Sequence, residues 1–228
     1  MNLLHDASRS TLRAIGWLRH GRKYDSPVRP DRIVWIDPDE IVHKPVRAPP
    51  SRRIPPTLIV GGDWDQDLDE VEDDVVFEAF YSRFVEGIPW EETEYVDLLT
   101  TDASEHGNLS PSEARARCEK IEELYRRIQD ERYKTQAQLL EEGSLIRGLN
   151  DSLRPPEYRE ISVDVSRDGE FLWHGGMHRL SIAKILDIDS IPVRINIRHT
   201  AWQKIREKSY NNKIDQYNDH PDIKYLIN

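Results

Sequence analysis

The chain has 228 residues, enough for one domain with an insertion or for two small ones. A net charge of −10, with 37% hydrophobic and 32% charged residues, opposes non-specific adhesion to nucleic acid and leaves only a local basic patch as a route to it. The single cysteine, Cys118, excludes an intrachain disulfide, a thiolate zinc cluster and a paired-cysteine redox motif.

Residues 1 to 25 scatter Leu12, Ile15, Trp17 and Leu18 among five basic residues, Arg9, Arg13, Arg19, Arg22 and Lys23, against Asp6 and Asp25, a local excess of three positive charges. Such an amphipathic helix docks on a core, or lies on an anionic membrane or a polyanion. The N-terminus lacks the apolar core of a signal peptide, and no apolar run reaches the roughly 18 residues that span a bilayer. The expected location is therefore cytoplasmic, with peripheral membrane contact through residues 1 to 25 where that segment engages one.

"RIVWIDPDEIV" predicts a strand over Ile33 to Ile36 running into a turn at Asp37-Pro38. Residues 45 to 56 carry five prolines and read as an extended connector. "TLIVGGDWD" is a second short strand, followed by eight carboxylates in the twelve residues 63 to 74. Val76, Phe77, Phe80 and Phe84 share one helical face, and "EGIPWEETEY" interrupts that helix. Ser110, Pro111 and Glu113 form a capping-box signature, and Ile121, Leu124, Tyr125 and Ile128 follow at helical spacing. Residues 143 to 157 read as a loop.

Beyond residue 158 the pattern changes. "EISVDVS" alternates, "RDG" turns and "EFLW" pairs back. Residues 178 to 186 form a helix with Ile182, Ala183 and Leu186 inward, and "IPVRINI" is a strand with Val193, Ile195 and Ile197 on one face. Thr200 is placed to cap a final helix containing Trp202 and Ile205.

The seam between strand and helix, "WHGGMHR", carries the most chemistry. A glycine pair supplies positive φ and lets a backbone approach a ligand closely. The free N–H groups of a helix start make an anion site, and a guanidinium matches phosphate bidentately. Gly175, Gly176, Met177, His178 and Arg179 are therefore candidates to cradle a phosphate. The alternative is a tight turn whose basic side chains face solvent.

The order strand–"GGMHRLSIAKIL"–"IPVRINI" resembles the ParB/sulfiredoxin superfamily, in which a strand leads into a Gly-x-His-Arg or Gly-Glu-Arg-Arg turn, a helix, and a strand beginning Ile-Pro. The sulfiredoxin turn Phe-Gly-Gly-Cys-His-Arg is matched by "WHGGMHR" with Met177 in place of the cysteine, and the superfamily's free serine kinase has a similar Asp-Gly-His-His-Arg turn. The resemblance covers residues 158 to 199 well, 32 to 62 and 119 to 138 weakly, and 63 to 118 not at all. It implies an α/β fold: a small mixed-sheet core over residues 31 to 200, a mainly helical insertion at about 63 to 118, and helical ends. It also implies that the turn binds the phosphates of ATP, ADP or CTP with Mg²⁺. Met177 excludes a thiol nucleophile, and the 29 residues after His199 are too few for the DNA-reading domain of clamp-forming ParB members.

Asp63 and Asp65, after a strand, are candidate Mg²⁺ ligands or a catalytic base for a hydroxyl acceptor, with His178 as a further catalytic candidate. Asp63, Asp65, Asp67 and Asp69 mimic a calcium loop, but Leu68 stands where such a loop needs glycine and Asp74 where it needs glutamate. Arg198 and His199 end a strand where they could reach a phosphate or stack an adenine, or simply satisfy each other's surroundings. His174 reads as a spectator, and Glu91, Glu92 and Glu94 as an exposed cluster that could form a lid. Ser8, Ser10 and Ser181 compose no serine–histidine–acid arrangement. The expectation is a nucleotide-binding phosphotransferase or hydrolase acting on a small or lipid-linked acceptor. The alternatives are a DNA-associated partition or regulatory protein, a nuclease, or a nucleotide sensor without turnover.

Overall fold

A computed structural model of the chain describes residues 3–20, 23–47, 49, 58–101, 108–144 and 155–226. Most of the two expected loops, at 48, 50–57 and 145–154, lies outside the described residues. The fold is α/β, built on one mixed sheet of seven strands: β1 (Ile33–Ile36), β2 (His43–Pro45), β3 (Leu58–Val60), β4 (Leu68–Glu70), β5 (Ile161–Val165), β6 (Phe171–Gly175) and β7 (Ile191–His199). β7 is central. β5 runs parallel along one edge, while the other edge pairs first with antiparallel β1 and then with parallel β3. β6 hairpins back on β5, and β2 and β4 extend the sheet beyond it.

Around the sheet lie α1 (Leu3–His20), α2 (Val75–Tyr81), α3 (Glu94–Thr100), α4 (Pro111–Glu131), α5 (Gln136–Glu141), α6 (Met177–Ile185), α7 (Thr200–Tyr210) and α8 (Pro221–Lys224). α6 is the middle of the molecule. Its Leu180 and Ala183 join Ile161, Val163, Val193 and Ile195 in the sheet core, and its Ile182 joins Phe80, Tyr95, Leu99, Cys118 and Ile121 of α2, α3 and α4. Burying apolar side chains on two sides fixes the start of α6 between sheet and helices.

Several local expectations are met for their stated reasons. Ser110 and Glu113 close a reciprocal capping box with Pro111 in the first turn of α4. Gly169 in the "RDG" turn has φ +98°, and a Cβ there would fall 2.6 Å from the Trp202 ring. Cys118 is buried in α4, where burial, with Glu91 and Glu122 nearby, pushes its thiol up to about 11. The described residues of the segment 63 to 118 are mainly helical and also include β4, which pairs in register with β2, Lys44 opposite Asp69, and whose charges blunt the sheet edge. Two expectations are corrected. Ile197 leaves the face of Val193 and Ile195 and packs with Trp64 and Leu172 on the other side, because β7 carries a bulge at Asn196. The cap of α7 is His199 rather than Thr200: its ring accepts from the Ala201 N–H at 3.0 Å.

α1 is docked through its basic residues. Arg9 pairs with Glu157 at 2.7 Å, and Arg13 pairs with Asp31. Trp17 and Leu18 stay exposed. No helix among the described residues is long and apolar enough to cross a membrane.

Candidate ligand-binding cleft

Gly175 ends β6 and Gly176 starts α6. Gly176 takes φ +91° and ψ 33°, and a Cβ would meet the Ile161 Cα at 3.1 Å and the Ile161 Cγ1 at 3.3 Å. Only glycine combines that dihedral with that approach. No side chain caps α6, and the first amides to bond back to the Gly176 carbonyl are those of Arg179 and Leu180, both at 3.1 Å. The amides of Met177 and His178 are the ones a helix start leaves for a ligand.

They face a cleft of about 790 Å³ between the end of β6 and the helices α2, α3 and α4. Its wall holds Gly175, Gly176, Met177, His178 and Arg179 together with Lys44, Asp73, Asp74, Arg117, Trp173 and His174. The Met177 side chain is buried in the sheet core, so this residue offers the cleft its backbone. The His178 ring stacks on Phe80 with centroids 5.3 Å apart, and its Nε2 lies 2.9 Å from the Tyr95 hydroxyl. That pair of contacts fixes the imidazole in an aromatic wall.

Arg179 is tied more firmly than an isolated phosphate ligand. It donates to the Glu160 carboxylate at 3.2 Å and to the Arg159 carbonyl, with the Tyr133 hydroxyl at 3.4 Å. A second cavity, of about 210 Å³, opens on its far side, so Arg179 forms the partition between the two. Burial pushes the Glu160 carboxyl up to about 7, against the attraction of Arg179 and the Gln136 N–H at 2.6 Å.

The remaining candidates lie elsewhere. Ser162 of β5 pairs with Gly175, whereas Val165 pairs with Arg198, so the turn and the Arg198–His199 pair sit at opposite ends of β5, more than roughly 10 Å apart along the strand. Asp63 and Asp65 belong to the far end. Arg167 donates its backbone N–H to Asp65 at 2.7 Å and its guanidinium to Asp65 at 2.7 Å and to Asp63 at 2.8 Å. Burial pushes the Asp65 carboxyl up, but the Arg167 hydrogen bonds outweigh it and hold the group below its usual range. These carboxylates therefore clasp a loop onto the β5–β6 turn and do not share a site with the glycines. Arg198 makes two bonds to buried Asp222, at 2.8 and 2.6 Å. His199 spends both ring nitrogens, one accepting from the Ala201 amide and Nε2 donating to the Gly62 carbonyl at 2.9 Å. His199 thus has no ring nitrogen left for a nucleotide, and the remaining Arg198 nitrogen, Nη1, is buried.

Residues missed in the sequence complete the cleft. Lys44 lies on a three-residue strand beside a proline and Arg117 on an otherwise ordinary charged helix, while Glu160, just before β5, acts from behind the wall on Arg179; none stands in a recognisable spacing. His174 stands beside the glycines in the sequence, but the strand pairing that sets its neighbours does not show there. For Mg²⁺, no group of three or more His, Cys, Asp or Glu side chains is assembled among the described residues. At the cleft, Asp74 already caps α2 and binds Lys44 at 2.5 Å, leaving exposed Asp73 as the rim carboxylate. That fits a cation whose ligands are mostly phosphate oxygens and water. Comparison of the chain with protein-family models, curated proteins and solved structures gave no match, so its likeness to the ParB/sulfiredoxin superfamily rests on the motif and its strand–turn–helix setting alone.

Proposed function

We propose that the cleft binds the phosphates of a nucleotide, ATP, ADP or CTP, and that the chain is a nucleotide-dependent phosphotransferase or hydrolase acting on a small or lipid-linked acceptor. The observation that carries this reading is the left-handed Gly176 at the uncapped start of α6, opening onto a cleft edged by Lys44, Arg117 and Arg179. Backbone amides and cations converging on one space suit a polyphosphate, and phosphoryl transfer is catalysed mainly by such positioning and charge stabilisation. The volume suits a ligand of nucleotide size. Mg²⁺ would arrive with the nucleotide and neutralise its charge.

Arg179 gives this reading a distinctive feature, because a phosphate must draw the guanidinium from Glu160. Thermal unfolding with millimolar ATP, ADP or CTP and Mg²⁺ is the test. A nucleotide at about a hundredfold over its Kd adds ~2.7 kcal/mol, which raises Tm by roughly 5–10 °C for a chain of this size. The rise should vanish in Gly176→Ala, compared at a temperature where that variant is folded. If none of the three nucleotides moves Tm, the reading fails.

A further inference from the structure

The strands on either side of β5 each carry one extra residue, and the two extra residues meet. Between β5 and β6 the pairing steps from Val163↔Trp173 to Ser162↔Gly175, leaving His174 unpaired. Between β5 and β7 it steps from Val163↔Ile195 to Asp164↔Ile197, leaving Asn196 unpaired. A bulge re-aims a side chain at the expense of local ladder bonds. Here the two re-aimed side chains meet each other, and His174 reaches a buried carboxylate. His174 Nδ1 lies 2.9 Å from Asp164 Oδ2, and Asn196 Nδ2 lies 3.1 Å from His174 Nε2 and 3.4 Å from its Nδ1, against the ring rather than along the Nε2 lone pair. Asp164 is fully buried, and its other oxygen accepts the Ile197 N–H at 3.0 Å. Arg194 donates to Asn196 Oδ1 at 3.3 Å, which sets the amide with its NH₂ toward the imidazole.

The hydrogen bonds define one arrangement. The acceptor-only carboxylate at Nδ1 selects the neutral ring with its proton on Nδ1 and its lone pair on Nε2. The ring also lines the cleft, next to Gly175, with 14% of its side chain exposed. An oriented imidazole with a lone pair, beside an anion-binding turn, is a base supported as in catalytic dyads.

We propose that Asp164, His174 and Asn196 form a proton-accepting site, in which His174 takes the proton of a hydroxyl-bearing acceptor and Asp164 and Asn196 are positioning residues. The acceptor chemistry rests on the phosphotransfer reading; the proton site does not. In the step, the acceptor oxygen bonds to the terminal phosphorus of the nucleotide and its proton passes to His174 Nε2. The bond from that phosphorus to the bridging oxygen breaks, and its electron pair leaves with the nucleoside diphosphate. Asp164 on β5 is the charged group bonded to the ring, Arg194 on β7 acts through Asn196, and the cleft that the ring lines also holds Lys44, Asp73, Asp74, Arg117, His178 and Arg179.

Two measurements separate this site from a merely structural cluster. Imidazole ¹⁵N spectra between pH 5 and 9 should show His174 taking up one proton reversibly, with the neutral form on Nδ1, and Asp164→Asn should weaken that tautomer preference. Release of nucleoside diphosphate from Mg-ATP should fall about a hundredfold in kcat in His174→Gln, with KM within about threefold, and lose its alkaline rise. A ring that stays neutral with its proton on Nε2, or a His174→Gln variant with wild-type kcat, would overturn the proposal. Should no nucleotide turn over while the ¹⁵N signature holds, the phosphotransfer reading falls and the proton site stands.

Discussion

The glycine at 176 and the glutamate at 160 act on the same arginine turn from opposite sides. Gly176 keeps the backbone against Ile161, and Glu160 holds Arg179 back from the cleft. Burial raises the Glu160 carboxyl from 4.5 to about 7, so the folded chain keeps a proton that the unfolded chain has lost. With the folded value above the unfolded one, this group's stabilising contribution is complete below about pH 4.5 and is lost as pH rises through about 7. Glu160→Gln keeps the shape and removes the titration. Its Tm relative to the parent should therefore climb between pH 5 and pH 8; a constant difference across that range would show that Glu160 is not a raised carboxyl. At this scale the glycines were legible because they answer a backbone demand that sequence states directly. His174 was not, since its neighbours on β5 and β7 come from distant positions and a bulge has no composition of its own.

Among the elements, the acidic run shows how a conspicuous sequence feature can serve the fold. Asp63 and Asp65 grip Arg167, the first residue of the turn that joins β5 to β6. Removing Arg167 leaves the buried Asp65 carboxylate without its cation, which costs ~1–3 kcal/mol. Arg167→Ala should accordingly lower stability by that amount in denaturant unfolding while nucleotide affinity changes by less than about twofold. A tenfold loss of affinity at unchanged stability would return the acidic loop to the site. Element boundaries were readable where chemistry is local, as in the Ser110–Glu113 box. They failed where pairing decides. The alternation of "EISVDVS" suggests one wet face, yet β5 is buried throughout, its polar face satisfied by His174 and the Ile197 amide. The same logic moved Ile197 to the second face.

For the whole molecule, the order of strands and helices was sufficient to give an α/β fold with the glycine turn at a strand–helix seam. What sequence order did not convey is that β5 and β7 run parallel, which sends the Arg198–His199 pair to the opposite end of the sheet from Gly175. It also did not convey that Arg9 and Arg13, part of the basic N-terminal excess, are used to seat α1 on Glu157 and Asp31. The molecule thus offers two polar ends of one sheet, and the proposed function assigns the phosphate to the end that carries Gly176. A ¹H–¹⁵N correlation spectrum recorded during titration with Mg-ADP reads this directly. The expected result is that the largest shifts fall on the amides of Gly176, Met177 and His178. Shifts confined to residues 61–67 and 198–200, or none at saturating nucleotide, would contradict it.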